Sequence, residues 1–378
     1  MRKNLLVVPA ALFAVALCAQ TMVSTVPAGR NAVLEELTGV NCPNCPDGHV
    51  RADALLAAYP GRVVVINVHG TAYAGTPNLK SVWSDPIDNL INATAYPSGG
   101  MNRLVWSGAY NAPPYFPQNP PNNLAIRRPG WWDTGYPGQT AGEWIILNGG
   151  NSVVNIGASS TYNSSTNELS IKVELFYTGA DIVANKLNVA ILQNGVIGYQ
   201  SGGSSTYNHK NILRDLVTGQ WGDDILTTSQ GTFVTKNYTY SIPANYNGIA
   251  SDINNMDVVV FVTQADTKTI HTGVKFPAKN GQYTAAQELH SDPFDLSLSP
   301  NPMNETSSVQ YSLVENSTVR ISVCDLLGQL VYAEDLGKQD MGVHTCSVDR
   351  DKLRLSENIY FVTLEINGVK TTRKLLVE

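Results

Sequence analysis

The alternation of apolar and polar positions divides the chain into three stretches with different periods. In the first, "NAVLEEL" (Asn31 to Leu37) is rich in β-compatible apolar residues and predicts a strand. "RVVVINVHG" is a near-continuous apolar run, typical of a strand covered on both faces. Between them "HVRADALLAAYPG" has helical spacing, with Val50, Ala54, Leu55 and Ala58 on one face and Pro60-Gly61 as a stop. The order is strand, helix, strand. "SDPIDNLINATAYP" predicts a second helix with Ser84 or Asp85 as its N-cap, and "MNRLVW" a further strand. A Pro- and Asn-rich stretch around "NAPPYFPQNPPNN" fills roughly residues 110 to 140. It is too long for a simple connection and reads as a binding lip or a linker.

The second stretch, residues 141–290, alternates strictly in places. In "ELSIKVELFY", Leu169, Ile171, Val173 and Leu175 face one way and Ser170, Lys172 and Glu174 the other. "SSTYNSSTNELS" supplies a hairpin turn, and "KLNVAILQ", "FVTKNYTYSI" and "DVVVFVTQ" are further strands of a β-sandwich. "YNHKNILRDLVTGQWGDDI" departs from the pattern and reads as partly helical, a lid or an excursion over the sandwich edge. The third stretch, 294–378, returns to period two in "VRISVCDLLGQLVY", "GVHTCSVDRDKL" and "ENIYFVTLEINGVKTTRKLLVE", and predicts a compact antiparallel sandwich.

The first residues change this picture by placing the chain in a compartment. Arg2 and Lys3 precede an uncharged apolar run from Leu5 to Leu17, followed by Cys18-Ala19-Gln20. That is the pattern of a secretory signal peptide over residues 1–19, cleaved after Ala19. Lipid attachment at Cys18 is the weaker alternative, because Leu17 is bulky where a lipobox wants Gly or Ala. No later apolar stretch approaches the about 20 residues of a transmembrane helix. A net charge of −6, 15% charged residues and no basic run argue against nucleic acid as a partner.

Five cysteines are present, and four remain without the leader: Cys42, Cys45, Cys324 and Cys346. In an oxidising compartment they pair or are buried as small apolar residues. "TGVNCPNCPDGH" places Cys42 and Cys45 where strand gives way to helix. Unpaired N–H groups at a helix start favour the thiolate, which makes Cys42 the expected attacking thiol and Cys45 the resolving one. Pro43 is expected at the helix start, where its missing N–H costs little. Three readings stay open: a redox pair, a structural disulfide, or a metal site with His49 and His69. The last is weakest, because no second tight ligand pair exists. His69 ends the second strand on the edge that carries Cys42 and is a binding candidate, as partner to a thiolate or as a hydrogen-bonded strand-end residue. His209 and Asp215 are weaker pocket candidates. No nucleophile elbow, phosphate loop or HExxH motif is present, and no cofactor is implied.

"AVLEELTGVNCPNC" resembles the strand and active-site turn of thioredoxins. That resemblance gives Glu36, six residues before Cys42, the place of the family's buried proton-relay acid. It gives Pro97, in "AYPSGG", the place of the cis-proline that faces the CxxC. Asn41, where the family usually has an aromatic residue, and an expanded region before Pro97 depart from the pattern. More narrowly, "LEELTGVNCPNCPDGH", "VVVINVHG", "YPSGGMNR" and "HKNILRDLVTGQWGD" resemble the outer-membrane-protein-28-related family of Bacteroidetes over about residues 30–275. "SPNP", "VRISVCDLLGQLVY", "GVHTCSVD", "ENIYFVTL" and the terminal "TTRKLLVE" resemble the type IX secretion C-terminal sorting domain.

The expectation is a multidomain chain: an α/β thioredoxin-like domain (26–140) followed by two antiparallel β-sandwich (Ig-like) domains, 141–290 and the sorting domain 294–378. Its implied location is the outer-membrane surface or the medium, reached through the periplasm, and its implied partners are the type IX machinery and a protein thiol substrate. The competing expectation is a non-enzymatic surface binding protein in which Cys42 and Cys45 form a structural disulfide.

Overall fold

The computed structural model describes residues 21–106, 124–133, 139–284, 296–313, 316–326, 328–367 and 369–378. The leader expected over 1–19 and much of the Pro- and Asn-rich stretch lie outside the described residues. The first part runs β1 (Ala32–Thr38), α1 (Cys45–Ala58), β2 (Val63–His69), α2 (Ser84–Ile91), β3 (Ser98–Met101), β4 (Ala125–Arg127) and α3 (Ala141–Asn148). β1 and β2 are parallel, from Ala32 opposite Val63 to Thr38 opposite His69. β3 lies antiparallel on the other side of β1, and β4 antiparallel outside β3.

The strands that follow are β5 (Val154–Asn163), β6 (Glu168–Tyr177), β7 (Asn185–Gln193), β8 (Val196–Gly198), β9 (Tyr207–His209), β10 (Ile212–Leu216), β11 (Asp223–Ile225), β12 (Phe233–Ser241), β13 (Asn245–Tyr246), β14 (Ile249–Ala250), β15 (Met256–Gln264), β16 (Ile270–Pro277) and β17 (Gln282–Tyr283). β10 joins β2 through Ile212 and Asn67, so one nine-stranded sheet runs β16-β15-β7-β10-β2-β1-β3-β4, with β11 on β7. The segments on either side of residue 140 therefore share a sheet. They also share a core, in which Val33, Leu37 and Ile66 pack with Ala190, Leu192, Leu213 and Val259.

Two further apolar layers complete this part. α1 and α3 cover the β1–β2 end through Ala32, Leu34, Ala52, Leu55, Val65 and Ile145. A four-stranded sheet, β12-β6-β5-β17, closes over the β7–β15–β16 end. There Leu169, Ile171, Val173 and Leu175 are buried against Val189, Val258, Val260 and Phe276, as the alternation predicts. Glu174 is the exception on the outward face. It is buried because the segment at Met22 and Val23 crosses it and donates two backbone N–H groups to its carboxylate.

The C-terminal part is a sandwich of a three-stranded sheet (297–299, 306–313, 342–349) and a four-stranded sheet (330–339, 317–325, 358–366, 369–377). Its core comes wholly from residues between Leu296 and Val377, Val319, Ile321 and Val323 among them. Cys324 and Cys346 are separate free thiols.

Several local expectations are corrected. α1 starts at Cys45, so Pro43 precedes the helix and Pro46 occupies its first turn. The buried face of α1 is Cys45, Gly48, Ala52 and Leu55, whereas Val50 is 66% exposed. Small residues win that face because the helix docks tightly on β1. The strand expected over Met101–Trp106 is displaced to Ser98–Met101, because Asn102 and Arg103 take left-handed conformations (φ 50° and 47°). The stretch read as partly helical is β9, β10 and β11, with Ile212, Leu213 and Leu216 buried in the sheet.

The turn at Arg103 drives its guanidinium back onto β1. Nε and Nη2 donate to the two carboxylate oxygens of Glu35 at 2.6 and 2.7 Å, with both side chains almost wholly buried. Removing one member of such a pair strands a charge without water. Arg103→Met is expected to lower the unfolding free energy by about 3–5 kcal/mol, measured by urea titration. A loss below 1 kcal/mol would show that the pair is not what anchors this turn. Separately, a chain lacking residues 285–378 is expected to keep the thermal midpoint of the remaining part, because no buried residue of that core is removed.

Candidate functional site

β1 carries two consecutive glutamates, and strand neighbours point to opposite faces. Glu35 goes to Arg103. Glu36 points toward α1 and is fully buried, with neither carboxylate oxygen accepting a hydrogen bond among the described residues. Burial pushes its pKa well above the ordinary 4.5, and the nearby Asp53 charge adds to the rise. Burial therefore favours the neutral form of Glu36.

Gly48 is what lets α1 approach this acid. A Cβ at Gly48 would stand 2.6 Å from Glu36 Oε1 and 2.8 Å from Pro97 Cγ. Glu36 and Pro97 thus meet the helix at one point, and Cys45 lies one turn earlier on the same face. The Tyr96–Pro97 peptide is cis. Cys42 and Cys45 are joined in a disulfide, with Cα atoms 5.4 Å apart. Both are buried, at 1% and 0% exposure. Because both sulfurs are taken, the ligand set of Cys42, Cys45, His49 and His69 is not assembled.

Around Glu36 the histidines are held toward their neutral forms, while Asp53 and Lys210 form an ion pair at the same pocket. His49 Nε2 is 3.7 Å from Glu36 Oε1 and 3.1 Å from the Thr38 hydroxyl, and its Nδ1 is 2.8 Å from the Tyr207 hydroxyl. Burial lowers the His49 pKa to about 4, assisted by His209. His69 is buried at the end of β2, opposite Thr38, with its ring 6.1 Å from that of His209. Burial, then His209 and His49, hold its pKa well below 6.5. His209 Nε2 donates to the Tyr199 carbonyl (3.2 Å), and its pKa too is lowered by burial. Asp215 lies elsewhere, accepting from the Trp83 indole and the Tyr240 hydroxyl. A cavity of about 40 Å³ lies beside Glu36, His49, Ala52, Asp53, Asn67 and Tyr207. It has room for roughly two or three waters.

Of the residues expected from the sequence, Cys42 and Cys45 form a disulfide, Pro97 follows a cis peptide, and Glu36 and His69 are buried. Sequence reasoning missed Gly48, for which the signal was a glycine one turn after Cys45 inside a helix. It also missed Gln200 and Tyr207, which come from beyond residue 190 and carry no local signal.

A β-rich fold in several sheets, a CxxC disulfide and a separate C-terminal sandwich define an exported cell-surface protein that carries its own sorting domain. Residues 84–275 match the model of the outer membrane protein Omp28 family, and the chain belongs to that family. Residues 297–378 match the secretion system C-terminal sorting domain, which implies the type IX secretion machinery as a partner. The protein is secreted or sits at the outer-membrane surface. No helix among the described residues is long and apolar enough to cross a membrane. Among solved structures, HBP35 of Porphyromonas gingivalis is similar in fold, at 18% identity and a TM-score of 0.50, over 93% of this chain and 99% of its own. A domain of the outer membrane lipoprotein Omp28 from Porphyromonas gingivalis is 21% identical over 34% of this chain and 88% of its own, with a TM-score of 0.26. No curated protein matches the chain.

The buried acid sets a pH dependence with a definite sign. Below about pH 4.5 Glu36 is protonated in folded and unfolded chains alike, so Glu36→Gln and the parent differ little. Above it the unfolded carboxyl ionises while the folded one does not, and the parent loses about 1.4 kcal/mol per pH unit relative to the variant until the folded pKa is passed. Thermal melts from pH 4 to pH 8 are expected to show Glu36→Gln gaining stability as the pH rises. A constant difference would place an ionised Glu36 in the fold.

Proposed function

We propose that the protein is a cell-surface thiol–disulfide exchange protein whose reactive pair is Cys42 and Cys45. The observation that carries this reading is Glu36, a wholly buried acid without a hydrogen-bond partner, set against α1 one turn from Cys45 and touching the Pro97 side. A structural staple needs no such group, and burying an unpaired acid costs stability. A proton store beside the sulfurs is what exchange requires. The strand order β2-β1-β3-β4, with α1 and α3 on one face and a cis-proline entering β3, supports a thioredoxin-like unit within residues 26–148. The 150–284 region is then its sandwich partner, and 296–378 its address. Residues 1–19 are proposed as the leader that delivers the chain to the periplasm.

The sequence of steps in the oxidising direction follows from the groups present. A substrate thiolate attacks Cys42 Sγ and expels Cys45 as thiolate, which takes the proton of Glu36. A second substrate thiolate then attacks the substrate sulfur of the mixed disulfide and expels Cys42. Two electrons pass from substrate to protein, the substrate gains a disulfide, and Glu36 regains its proton through the cavity. Without a reductant outside the cell, the oxidising and isomerising directions are the ones open to it. His69, buried at the end of β2, would serve as a neutral polar group near the thiolate.

The burial of both sulfurs favours a second reading, a surface binding protein with a structural disulfide. A redox titration combined with timed alkylation separates the two. Exchange requires that Cys42 of the reduced protein alkylate faster than Cys45, with an apparent pKa well below the about 8.5 of a free thiol. Glu36→Gln should slow exchange near neutral pH, and Pro97→Ala should slow it at every pH. Equal and slow labelling of both cysteines, with a potential below about −300 mV, would establish the staple. For export, loss of residues 285–378 should leave the chain in the periplasm of cells with the type IX machinery, while the parent reaches the surface.

A further inference from the structure

The turn joining β8 to β9 comes from far along the chain and lies against the CxxC. The Ser201 N–H donates to the Val40 carbonyl at 2.8 Å. Gln200 is buried, and its Nε2 donates to the carbonyls of Gly39 and Cys42 at 3.2 and 3.0 Å. Gly202, at φ 73°, sits so close to the Pro43 carbonyl that a Cβ there would overlap it. The base of the hairpin is firmly held. Val196 packs with Val40, Leu79 and Ile212, Gly198 abuts Pro77, and the Tyr207 hydroxyl meets His49 Nδ1.

The tip is held differently. Gly202, Gly203, Ser204, Ser205 and Thr206 are exposed and include no large apolar side chain. Hydrogen bonds to backbone carbonyls are what tie it to the motif, and these exchange with water at small net cost. Meanwhile Asn41, Pro43 and Asn44 are exposed although Cys42 between them is not. The sulfurs, not the motif as a whole, are what is hidden.

We infer that the Tyr199–Thr206 turn is a displaceable cover over the disulfide, and that it occupies the binding surface of an extended, cysteine-bearing polypeptide. When the turn lifts on its anchored base, the carbonyls of Gly39, Val40 and Cys42 lose their donors. An extended backbone carries N–H groups to replace them. The Gly-Gly-Ser-Ser tip defines the specificity, because Gly202 leaves no room over Pro43 for a side chain. The ligand class is therefore a segment with glycine or serine beside its cysteine. The polypeptide part of this inference rests on the exchange reading above; the cover itself does not.

The test measures access to the disulfide in the full chain. The protein is treated with dithiothreitol, quenched with iodoacetamide at intervals, and compared with Gln200→Ala and Gly202→Ala. Gln200→Ala removes two of the three hydrogen bonds and is expected to speed reduction about tenfold. Gly202→Ala, by pushing the tip off Pro43, should act in the same direction. In the parent, the rate should level off at high dithiothreitol, where opening becomes limiting. Unchanged rates in both variants, or a parent rate that rises linearly like that of an open disulfide, would overturn the cover. The same proteins are then given a short Gly/Ser peptide with two cysteines. Its oxidation should accelerate in parallel. Variants that dithiothreitol reduces faster but that never oxidise the peptide would end the exchange reading and leave the cover standing. Peptide oxidation by the parent with no gain in either variant would do the reverse.

Discussion

The burial of β1 on both faces is the constraint from which the rest follows. All seven of its residues are buried, with β2 and β3 on its edges and apolar layers above and below. Two of the seven are glutamates, and both are shut off from bulk solvent. The fold answers this in two ways. Glu35 receives a bidentate guanidinium from a turn held in left-handed conformations, which satisfies its charge. Glu36 receives no hydrogen bond among the described residues, and burial shifts it toward its neutral form instead. One acid anchors the architecture, and its neighbour lies buried against α1 one turn from Cys45.

The same constraint selects the residues of α1. A helix that covers Glu36 closely has small side chains at the contact, so Cys45, Gly48 and Ala52 face inward and Val50 is left outside. Close docking brings Pro97 and the CxxC to the point where Glu36 ends. Because β10 pairs with β2, the sheet also continues into the strands beyond residue 150. That continuity places Gln200, Tyr207 and His209 at a motif more than 150 residues earlier. The site is a product of the joined sheet and not of the βαβ unit by itself.

Burial shifts the histidines and Glu36 of the site toward their neutral forms. The two kinds of group act oppositely on stability. The histidines favour the unfolded chain as the pH falls below about 6.5, where an exposed imidazole takes up a proton that the folded one refuses. Glu36 favours it as the pH rises above 4.5.

Much was legible in the sequence because it depends on local order. Period-two alternation fixed the faces of the strands, as Leu169, Ile171, Val173 and Leu175 and again Val319, Ile321 and Val323 demonstrate. The buried acid was expected at Glu36 through the resemblance to thioredoxins, and Glu36 is buried on β1. Three things needed the tertiary structure. The face of α1 was misjudged because apolarity favoured Val50, whereas the docking distance to Glu36 demanded glycine and alanine. The strand expected at Met101 ended early because Arg103 serves a charge on another strand. The cover over the disulfide left no trace in the sequence, since Gln200 and Ser201 act on it through backbone carbonyls, and any residue has a carbonyl. Periodicity reports which side of an element is wet. It cannot report which distant element will dry it, because that is set by the pairing of strands far apart in the chain.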